Sequence, residues 1–234
     1  MEKMSYKLSI IIPVLNEADH INSQIEHIYN SASNKDFEII VVDESQRKDT
    51  INAIKNPEVI SISSEKGRAR QMNAGAAIAR GGILLFLHAD TRLPNGALEK
   101  IFSALDEKPY VGGAFDLCIR SEKPVFKVIS KMISFRSRLT RVPYGDQAIF
   151  IRRDYFIESG GYKDIPLMED VELMRRTKKS SKKINIISSD CVTTSPRRWE
   201  KEGILYCTLR NWMIRALYYG GVPPSKLVRF YEYD

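Results

Sequence analysis

Cysteine is scarce in this sequence, and no pattern typical of zinc binding or of a disulfide framework is present. The three cysteines, Cys118, Cys191 and Cys207, are an odd number, lie far apart and include no Cys-x-x-Cys pair. Such cysteine usage is typical of proteins in a reducing compartment. We therefore expect no disulfide and a cytoplasmic location.

Long apolar runs are also missing. No stretch approaches the ~20 consecutive apolar residues that a membrane-spanning helix needs. Residues 1–7 are polar and lead directly into an apolar run, unlike a secretory signal peptide. We expect a protein that is not integral to a membrane.

Several ligand-binding motifs are absent as well. There is no Gly-x-x-x-x-Gly-Lys-Ser or Gly-x-Gly-x-x-Gly loop. Helix-turn-helix, zinc-ligand and RNA-binding aromatic patterns are missing too, which argues against nucleic acid as a partner. The net charge of +7 nevertheless favours anionic partners, such as phosphate esters or acidic lipid.

What is present is the composition and patterning of an ordinary globular domain of 234 residues. In the first half, predicted strands at 8–14, 37–42, 59–63 and 82–87 alternate with predicted helices at 18–31, 50–55, 67–79 and 94–106. This alternation predicts an α/β fold with a mostly parallel sheet flanked by helices. In the second half we predict strands at 111–119, 148–152, 184–188 and 191–194, and helices at 124–139, from 168, at 201–219 and from 224.

Acidic and amide side chains follow three of the predicted parallel strands. Asn16 and Glu17 follow the first, Asp43 ends the second, and Asp90 follows the fourth. Such residues often cap the next helix. Because ligands bind beyond the carboxyl ends of parallel strands, the same carboxylates could instead hold a ribose, a base edge and a divalent cation.

A basic segment, Gly67-Arg-Ala-Arg-Gln-Met-Asn73, opens a predicted helix. Arg68 and the helix N-terminus could meet phosphate oxygens, although a solvated basic helix face explains the pattern equally well.

Seven motifs follow one another along the chain. They are Ile-Ile-Ile-Pro-Val-Leu-Asn-Glu17, Val-Val-Asp43, Gly67-Arg-Ala-Arg-Gln-Met-Asn73, Leu-His-Ala-Asp90, Gly145-Asp-Gln147, Met-Glu-Asp170-Val-Glu-Leu173 and Ser195-Pro-Arg-Arg-Trp199. Taken in order, these motifs resemble those of family 2 glycosyltransferases over nearly the whole chain. The resemblance is closest to small soluble members with His-Ala-Asp in place of Asp-x-Asp.

The resemblance implies a GT-A fold, which is a Rossmann-like sheet with a C-terminal helical extension. The implied single domain, 1–234, has a nucleotide-binding half (about 1–110), an acceptor and catalytic half (about 111–200) and C-terminal helices (about 201–234).

The resemblance implies a role for each matching residue in binding a UDP- or GDP-sugar donor. Pro13 and Glu17 would line the base pocket, and Asp43 would contact the base. Arg68 and Asn73 would border the nucleotide.

A divalent cation, Mn or Mg, is implied as well. Asp90 would hold the ion against the diphosphate. His88 is either a second ligand, whose imidazole could favour Mn over Mg, or a structural residue.

The second half would supply the chemistry of an inverting transfer to a hydroxyl acceptor. The resemblance implies that Glu169 and Asp170 form the catalytic pair, with Asp170 as general base. The residues implied near the diphosphate and acceptor are Asp146, Gln147, Arg197, Arg198 and Trp199.

Five of these residues also have a purely structural explanation. Acids are favoured in the first turn of any helix, which fits Glu169 and Asp170. Arg197 and Arg198 could be ordinary surface charge, and Trp199 an ordinary core residue.

The chain departs from the family pattern at three positions. Glu44 and Ser45 replace the Asp-Gly of Asp-Asp-Gly-Ser, and His88 replaces the first acid of the metal motif. Ser195 replaces the glutamine of the Arg-Trp element, so processive polymer synthesis is not implied.

Two other functions compete with sugar transfer. A nucleotidyltransferase would share the sheet and the metal site, but it would require a glycine-rich basic loop straight after the first strand, where this sequence has Asn16 and Glu17. A catalytically silent, membrane-binding scaffold could share the fold.

The predicted helix at 124–139 is basic and amphipathic. Its apolar face either packs on the sheet or lies on anionic lipid, where a lipid-linked acceptor would be found and the protein would be peripheral to the inner membrane face. The helix at 203–219, with Trp212, Tyr218, Tyr219, Arg210 and Arg215, could extend that surface or form a homodimer. The apolar face comprises Val125, Phe126, Val128, Ile129, Met132, Ile133, Phe135 and Leu139, opposite Lys123, Lys127, Lys131 and Arg138, with Arg136 as the exception.

Overall fold

The structure, a computed structural model, describes residues 7–33, 36–106 and 109–231, so the two ends of the predicted domain lie outside it. The strands are β1 (Leu8–Val14), β2 (Phe37–Asp43), β3 (Ile60–Ser63), β4 (Ile83–Phe86), β5 (Tyr110–Ile119), β6 (Ile149–Arg152) and β7 (Lys183–Thr194). The helices are α1 (Ile21–Ser31), α2 (Asp49–Ala53), α3 (Arg68–Ile78), α4 (Ala97–Asp106), α5 (Pro124–Thr140), α6 (Arg153–Glu158), α7 (Glu169–Lys179), α8 (Arg197–Glu202), α9 (Ile204–Tyr219) and α10 (Pro224–Leu227), with 3₁₀ turns at Gly145–Gln147 and Val228–Phe230.

The strands form one seven-stranded sheet in the order β3-β2-β1-β4-β6-β5-β7. The four strands of the first half are parallel, β6 is antiparallel to both of its neighbours, and β7 is parallel to β5. The β-branched runs of β1 and β2 are buried, as expected for strands covered on both faces. The predicted mostly parallel sheet of an α/β fold is confirmed.

Helices cover both faces of the sheet. Apolar side chains of α1 and α4 pack on one face, and those of α3 and α7 pack on the other. Gln71 of α3 donates its amide hydrogens to the carbonyls of Val14 and Val42, at 2.7 and 2.8 Å. These two bonds fix α3 at the carboxyl ends of β1 and β2.

Four details of the sequence prediction need correction. Helix α6 was missed, because six residues are too few to show helical periodicity. The two short strands predicted at 184–188 and 191–194 are one strand, β7, with an irregular register against β5. The predicted helix at 201–219 begins earlier, as α8, and is interrupted at Gly203, which adopts a φ of +92°. The helix predicted from Pro94 begins at Ala97.

The apolar face predicted for α5 is split between the core and the surface. Phe126 and Ile129 are buried, whereas five other members of that face are exposed. The inner side of α5 is completed by serines: Ser134 and Ser130 accept hydrogen bonds from the amides of Leu117 and Ile119. Strand β6 pairs with β5 only at Gly112 and Gly113, so these serines satisfy amides further along β5.

Within the described ranges, every helix is too short or too polar to cross a lipid bilayer.

The expectation of no disulfide is wrong. Cys118 of β5 and Cys191 of β7 are bonded, with their Cα atoms 5.6 Å apart. The two cysteines are 73 residues apart in the sequence, so their pairing could not be predicted from spacing. They meet because β5 and β7 are neighbouring parallel strands. Cys207 is the free, buried cysteine. The cysteine-based argument for a reducing compartment therefore fails.

We predict that the unfolded, unreduced protein exposes one reactive thiol per chain and that reduction exposes three. Because the bond closes a loop of 73 residues, reduction should lower the free energy of unfolding by about 2–4 kcal/mol. Thiol titration in denaturant and urea unfolding with and without reductant measure the two effects. Three reactive thiols without reductant would contradict the pairing.

Candidate active site

The polar strand ends of the first half meet at one edge of the sheet. In the parallel register, Val14 of β1 lies opposite Asp43 of β2, and Ile11 lies opposite Phe86 of β4. The segments that follow these strands therefore converge, as the sequence predicts.

None of the three strand-end carboxylates acts as a helix cap. The N-cap residues of α1 and α2 are His20 and Lys48, and neither helix has a side-chain cap. Asp90 is followed by six residues outside any helix, and α4 begins at Ala97. The capping explanation therefore does not account for Glu17, Asp43 or Asp90.

Asp43 is buried at the end of β2. Its Oδ1 accepts the amide of Ser45 at 2.7 Å, whereas Oδ2 is buried and has no hydrogen-bond partner within the described residues. The adjacent Glu44 accepts the amide of Gly67 at 2.6 Å and so holds the start of α3 beside Asp43. A buried acceptor without a partner is costly, which fits a position that receives a donor group from a ligand.

Glu17 lies beside Arg197, which comes from the far end of the sequence. Their side chains are 3.4 Å apart, and Glu17 Oε2 is buried without a partner in the part of the chain described. Burial raises the pKa of Glu17; Arg197 opposes that rise, and Asp90 adds to it. Glu17, Asp90 and Arg197 thus share one neighbourhood, with the half-buried Pro13 at the end of β1.

Two arginines surround His88. Burial, followed by the charges of Arg68 and Arg198, lowers the pKa of His88 to about 3, so the imidazole is neutral. Arg68 also forms an ion pair with the buried Glu169, at 3.6 Å. Burial lowers the pKa of Arg198, and Arg68 lowers it further. Like charges held this close favour an anionic ligand between them.

Asp170 is joined to the turn at Gly145–Gln147. Its Oδ2 accepts the amide of Gly145 at 2.6 Å, and its Oδ1 accepts the amide of Val171. A Cβ at Gly145 would lie 2.8 Å from His88 Nε2 and 3.6 Å from Asp170 Oδ2. His88 and Asp170 therefore both approach Gly145, where only glycine fits.

Asp146 follows in the same turn and adds a further carboxylate. Burial raises its pKa to about 7, with a contribution from Asp170 and an opposing one from Arg136; Asp90 raises it further. Its Oδ1 is buried and unpartnered among the described residues. Asp90, Asp146 and Asp170 thus interact across the site.

Three sequence-predicted residues make contacts that hold other parts of the fold in place. Asn73 exchanges two hydrogen bonds with the backbone of Tyr162, at 2.8 and 3.0 Å. The Gln147 amide is fully buried; it donates to the Phe115 carbonyl and accepts from Ser137 at 2.6 Å. Trp199 packs edge-to-face on Phe126 of α5.

Sequence reasoning missed a cluster beside the turn. Arg136 of α5 lies over the Tyr144 ring, 3.5 Å from its centroid, and Arg215 of α9 lies 5.3 Å from the same centroid. Burial raises the pKa of Tyr144 to about 12. Two signals were available: Arg136 was the one basic residue on the apolar side of the predicted helix, and Tyr144 immediately precedes Gly145.

The carboxylates of the site do not form a metal cluster by themselves. No three His, Cys, Asp or Glu side chains of the described residues are grouped so as to hold an ion. A single carboxylate with ligand phosphates and water is nevertheless a common arrangement for Mg²⁺. Asp90, near Glu17 and Asp146, fits that arrangement.

Comparison with known proteins identifies a family. The model of Glycosyl transferase family 2 matches residues 9–165. An uncharacterized protein of Mycobacterium tuberculosis is 26% identical over 196 residues, which are 72% of this chain and 61% of that protein. A dolichol-phosphate mannosyltransferase of Pyrococcus furiosus is 26% identical over 105 residues, or 42% of this chain and 30% of that protein. The chain thus spans less than two thirds of the length of these relatives.

The fold has a counterpart among solved structures. The mannosyltransferase PcManGT of Pyrobaculum calidifontis, solved with GDP-Man and Mn²⁺, superposes with a TM-score of 0.62. The superposition covers 81% of this chain and 56% of that one, at 19% identity, and it therefore compares the folds alone.

We predict that Glu169 makes stability fall as pH rises. Burial raises its pKa to about 7, against the opposing charge of Arg68 and with a contribution from Asp170. The folded state keeps this proton above the ordinary glutamate pKa of 4.5, at which the unfolded chain loses it. The free energy of unfolding should therefore fall by about 1–3 kcal/mol between about pH 5 and about pH 8.

Urea unfolding at the two pH values measures this effect. Glu169→Gln should remove this part of the pH dependence of stability. Arg68→Met should raise the pKa of Glu169 further, because the opposing charge is gone, so stability should continue to fall at higher pH. An identical pH dependence in wild type and Glu169→Gln would contradict the assignment.

Proposed function

The chain belongs to glycosyl transferase family 2, and we propose that it transfers a sugar from a nucleoside-diphosphate donor to a hydroxyl acceptor, inverting the sugar carbon. The observation that carries this proposal is the hydrogen bond from Gly145 to Asp170 Oδ2. It holds a carboxylate base beside His88, and hence beside Arg68 and Arg198. A base next to a cationic, anion-binding cluster is what transfer to a hydroxyl requires.

The nucleoside is assigned to the pocket of Pro13, Glu17 and Asp43. The unpartnered Oδ2 of Asp43 and Oε2 of Glu17 are buried acceptors suited to N–H groups of a base or hydroxyls of a ribose. We propose a UDP- or GDP-sugar as donor. GDP-mannose is the first to test, because the Pyrobaculum mannosyltransferase was solved with it.

The diphosphate is assigned to the arginines around His88. Arg68 and Arg198 offer planar N–H donors to phosphate oxygens, with Arg197 beside Glu17. Asp90 would hold Mn²⁺ or Mg²⁺ at the same place; the Pyrobaculum structure contains Mn²⁺. When bound, the ion would stabilise the negative charge that develops on the leaving diphosphate.

Asp170 is assigned as the general base. The acceptor oxygen forms a bond to the anomeric carbon while the bond from that carbon to the diphosphate breaks. The hydroxyl proton passes to Asp170, and the nucleoside diphosphate leaves. The raised pKa values of Asp146 and Glu169, both about 7, keep part of their population neutral near pH 7. This limits the repulsion that three ionised carboxylates would otherwise create.

Replacement of Asp170 by asparagine should abolish transfer while preserving donor binding. The amide oxygen can still accept the Gly145 amide, but the side chain cannot take up a proton. We expect kcat to fall by about two to four orders of magnitude. Donor turnover and donor-induced thermal stabilisation are the measurements.

Asp164→Asn is the matched control, because Asp164 is an exposed carboxylate just before α7 that pairs with Arg70. Equal turnover by Asp170→Asn and the control would refute the assignment. A folded wild-type protein that turns over no nucleotide sugar would favour a catalytically silent scaffold.

A further inference from the structure

Helix α5 carries its most apolar stripe on the outside. The spacing of the exposed residues alternates between three and four, which places them along one side of the helix. Phe135 is 66% exposed and Leu139 is 72% exposed. The opposite side is held to β5 by serine hydrogen bonds, so the stripe cannot turn inward without breaking them. The stripe consists of Val125, Val128, Met132, Phe135 and Leu139.

Helix α9 has a second outward stripe. Leu205 at its start is 73% exposed, and Trp212 is exposed two turns later. The buried residues of this helix, Cys207, Arg210 and Ile214, lie on its other side. The stripe consists of Leu205, Tyr206, Leu209, Trp212 and Met213.

The two helices are neighbours. Ile204 of α9 packs in the cluster that contains Phe126 and Ile129 of α5. Further along, Arg136 of α5 and Arg215 of α9 lie over the same Tyr144 ring. The two stripes lie on neighbouring helices and are together called the paired-helix face here. It adjoins the turn that carries Gly145 and Asp146.

The charged residues of the two helices have one sign, and two acids near α5, Glu200 and Asp116, are paired with Lys123 and Arg138. Neither α5 nor α9 contains an acidic residue. Lys127 and Lys131 are exposed beside the α5 stripe and form no ion pair within the described residues. A two-fold contact with a second copy would set the basic residues of these two helices against the same residues of the other copy, at a cost in repulsion. An anionic surface neutralises these basic residues instead.

We propose that the paired-helix face binds the surface of an anionic lipid membrane. Apolar side chains of α5 and α9 enter the boundary between headgroups and acyl chains, and the flanking lysines contact lipid phosphates. Because Arg136 and Arg215 join both helices to Tyr144, docking places the candidate active site at the membrane. The inference does not rest on the proposed sugar transfer, because lipid binding needs no donor.

Vesicle co-sedimentation of the full chain, without nucleotide, tests the proposal. Vesicles of phosphatidylglycerol and phosphatidylcholine in equal parts should bind the protein, and pure phosphatidylcholine should bind it at least about tenfold less. The double variant Phe135→Ser/Leu139→Ser should lose at least about tenfold in partitioning. Lys127→Gln/Lys131→Gln should lose about tenfold on the anionic vesicles only.

Ile157→Ser is the matched control, because Ile157 is 57% exposed but lies on α6, outside the face. A second readout needs no change in the face itself. Trp199 and Trp212 are the two tryptophans of the chain, and in a Trp199→Phe background the Trp212 emission should shift to the blue and be quenched by brominated lipid.

Three results would overturn the proposal: no binding to anionic vesicles, equal binding by the Phe135→Ser/Leu139→Ser variant, or unchanged Trp212 emission. A concentration-dependent dimer that this variant abolishes would also overturn it, and would assign the face to a second copy. Donor turnover in solution, assayed separately, distinguishes failure of this inference from failure of the proposed function.

Discussion

The hydrogen bond between the Gly145 amide and the Asp170 carboxylate joins the parts of this molecule that carry its chemistry. On one side of it lies the 3₁₀ turn that precedes β6, and on the other lies the first turn of α7. His88, which follows β4, approaches the same glycine closely enough that any side chain there would collide with its imidazole. The sheet places the carboxyl ends of β1, β2 and β4 together. The hydrogen bond between Gly145 and Asp170 brings residues of the second half of the chain to the same place.

Electrostatic balance is the second constraint on the site. Five carboxylates of the site lie among four arginines, and several of these side chains have little access to water. The carboxylates are Asp90, Asp146, Asp170, Glu17 and Glu169, and the arginines are Arg68, Arg136, Arg197 and Arg198. In such surroundings like charges raise carboxylate pKa values, and unpaired buried charges are costly. Buried acceptors on Glu17, Asp43 and Asp146 have no partner among the described residues. A ligand with N–H or hydroxyl donors, a diphosphate and a cation would satisfy these groups together.

Much of this architecture is readable in the sequence, and the reasons are physical. Continuous β-branched runs such as 8–14 and 37–42 have one stable environment, the interior of a parallel sheet, so strands and their polar ends were predictable. Contacts between segments that are distant in the sequence were not predictable in this way. The Cys118–Cys191 bond, the Arg197–Glu17 pair and the stacking of Arg136 and Arg215 on Tyr144 depend on three-dimensional neighbours. Periodicity showed that α5 is amphipathic, but only the serine bonds to β5 determine which side faces inward.

Nucleotide binding with an obligatory divalent cation is the central claim, and thermal unfolding tests it most directly. Wild type and Asp90→Ala would be melted with a panel of nucleoside diphosphates and their sugars, with and without Mn²⁺. The account predicts stabilisation by one nucleotide class that requires the cation and disappears in Asp90→Ala. The absence of any shift with any nucleotide, in protein that is folded, would contradict it.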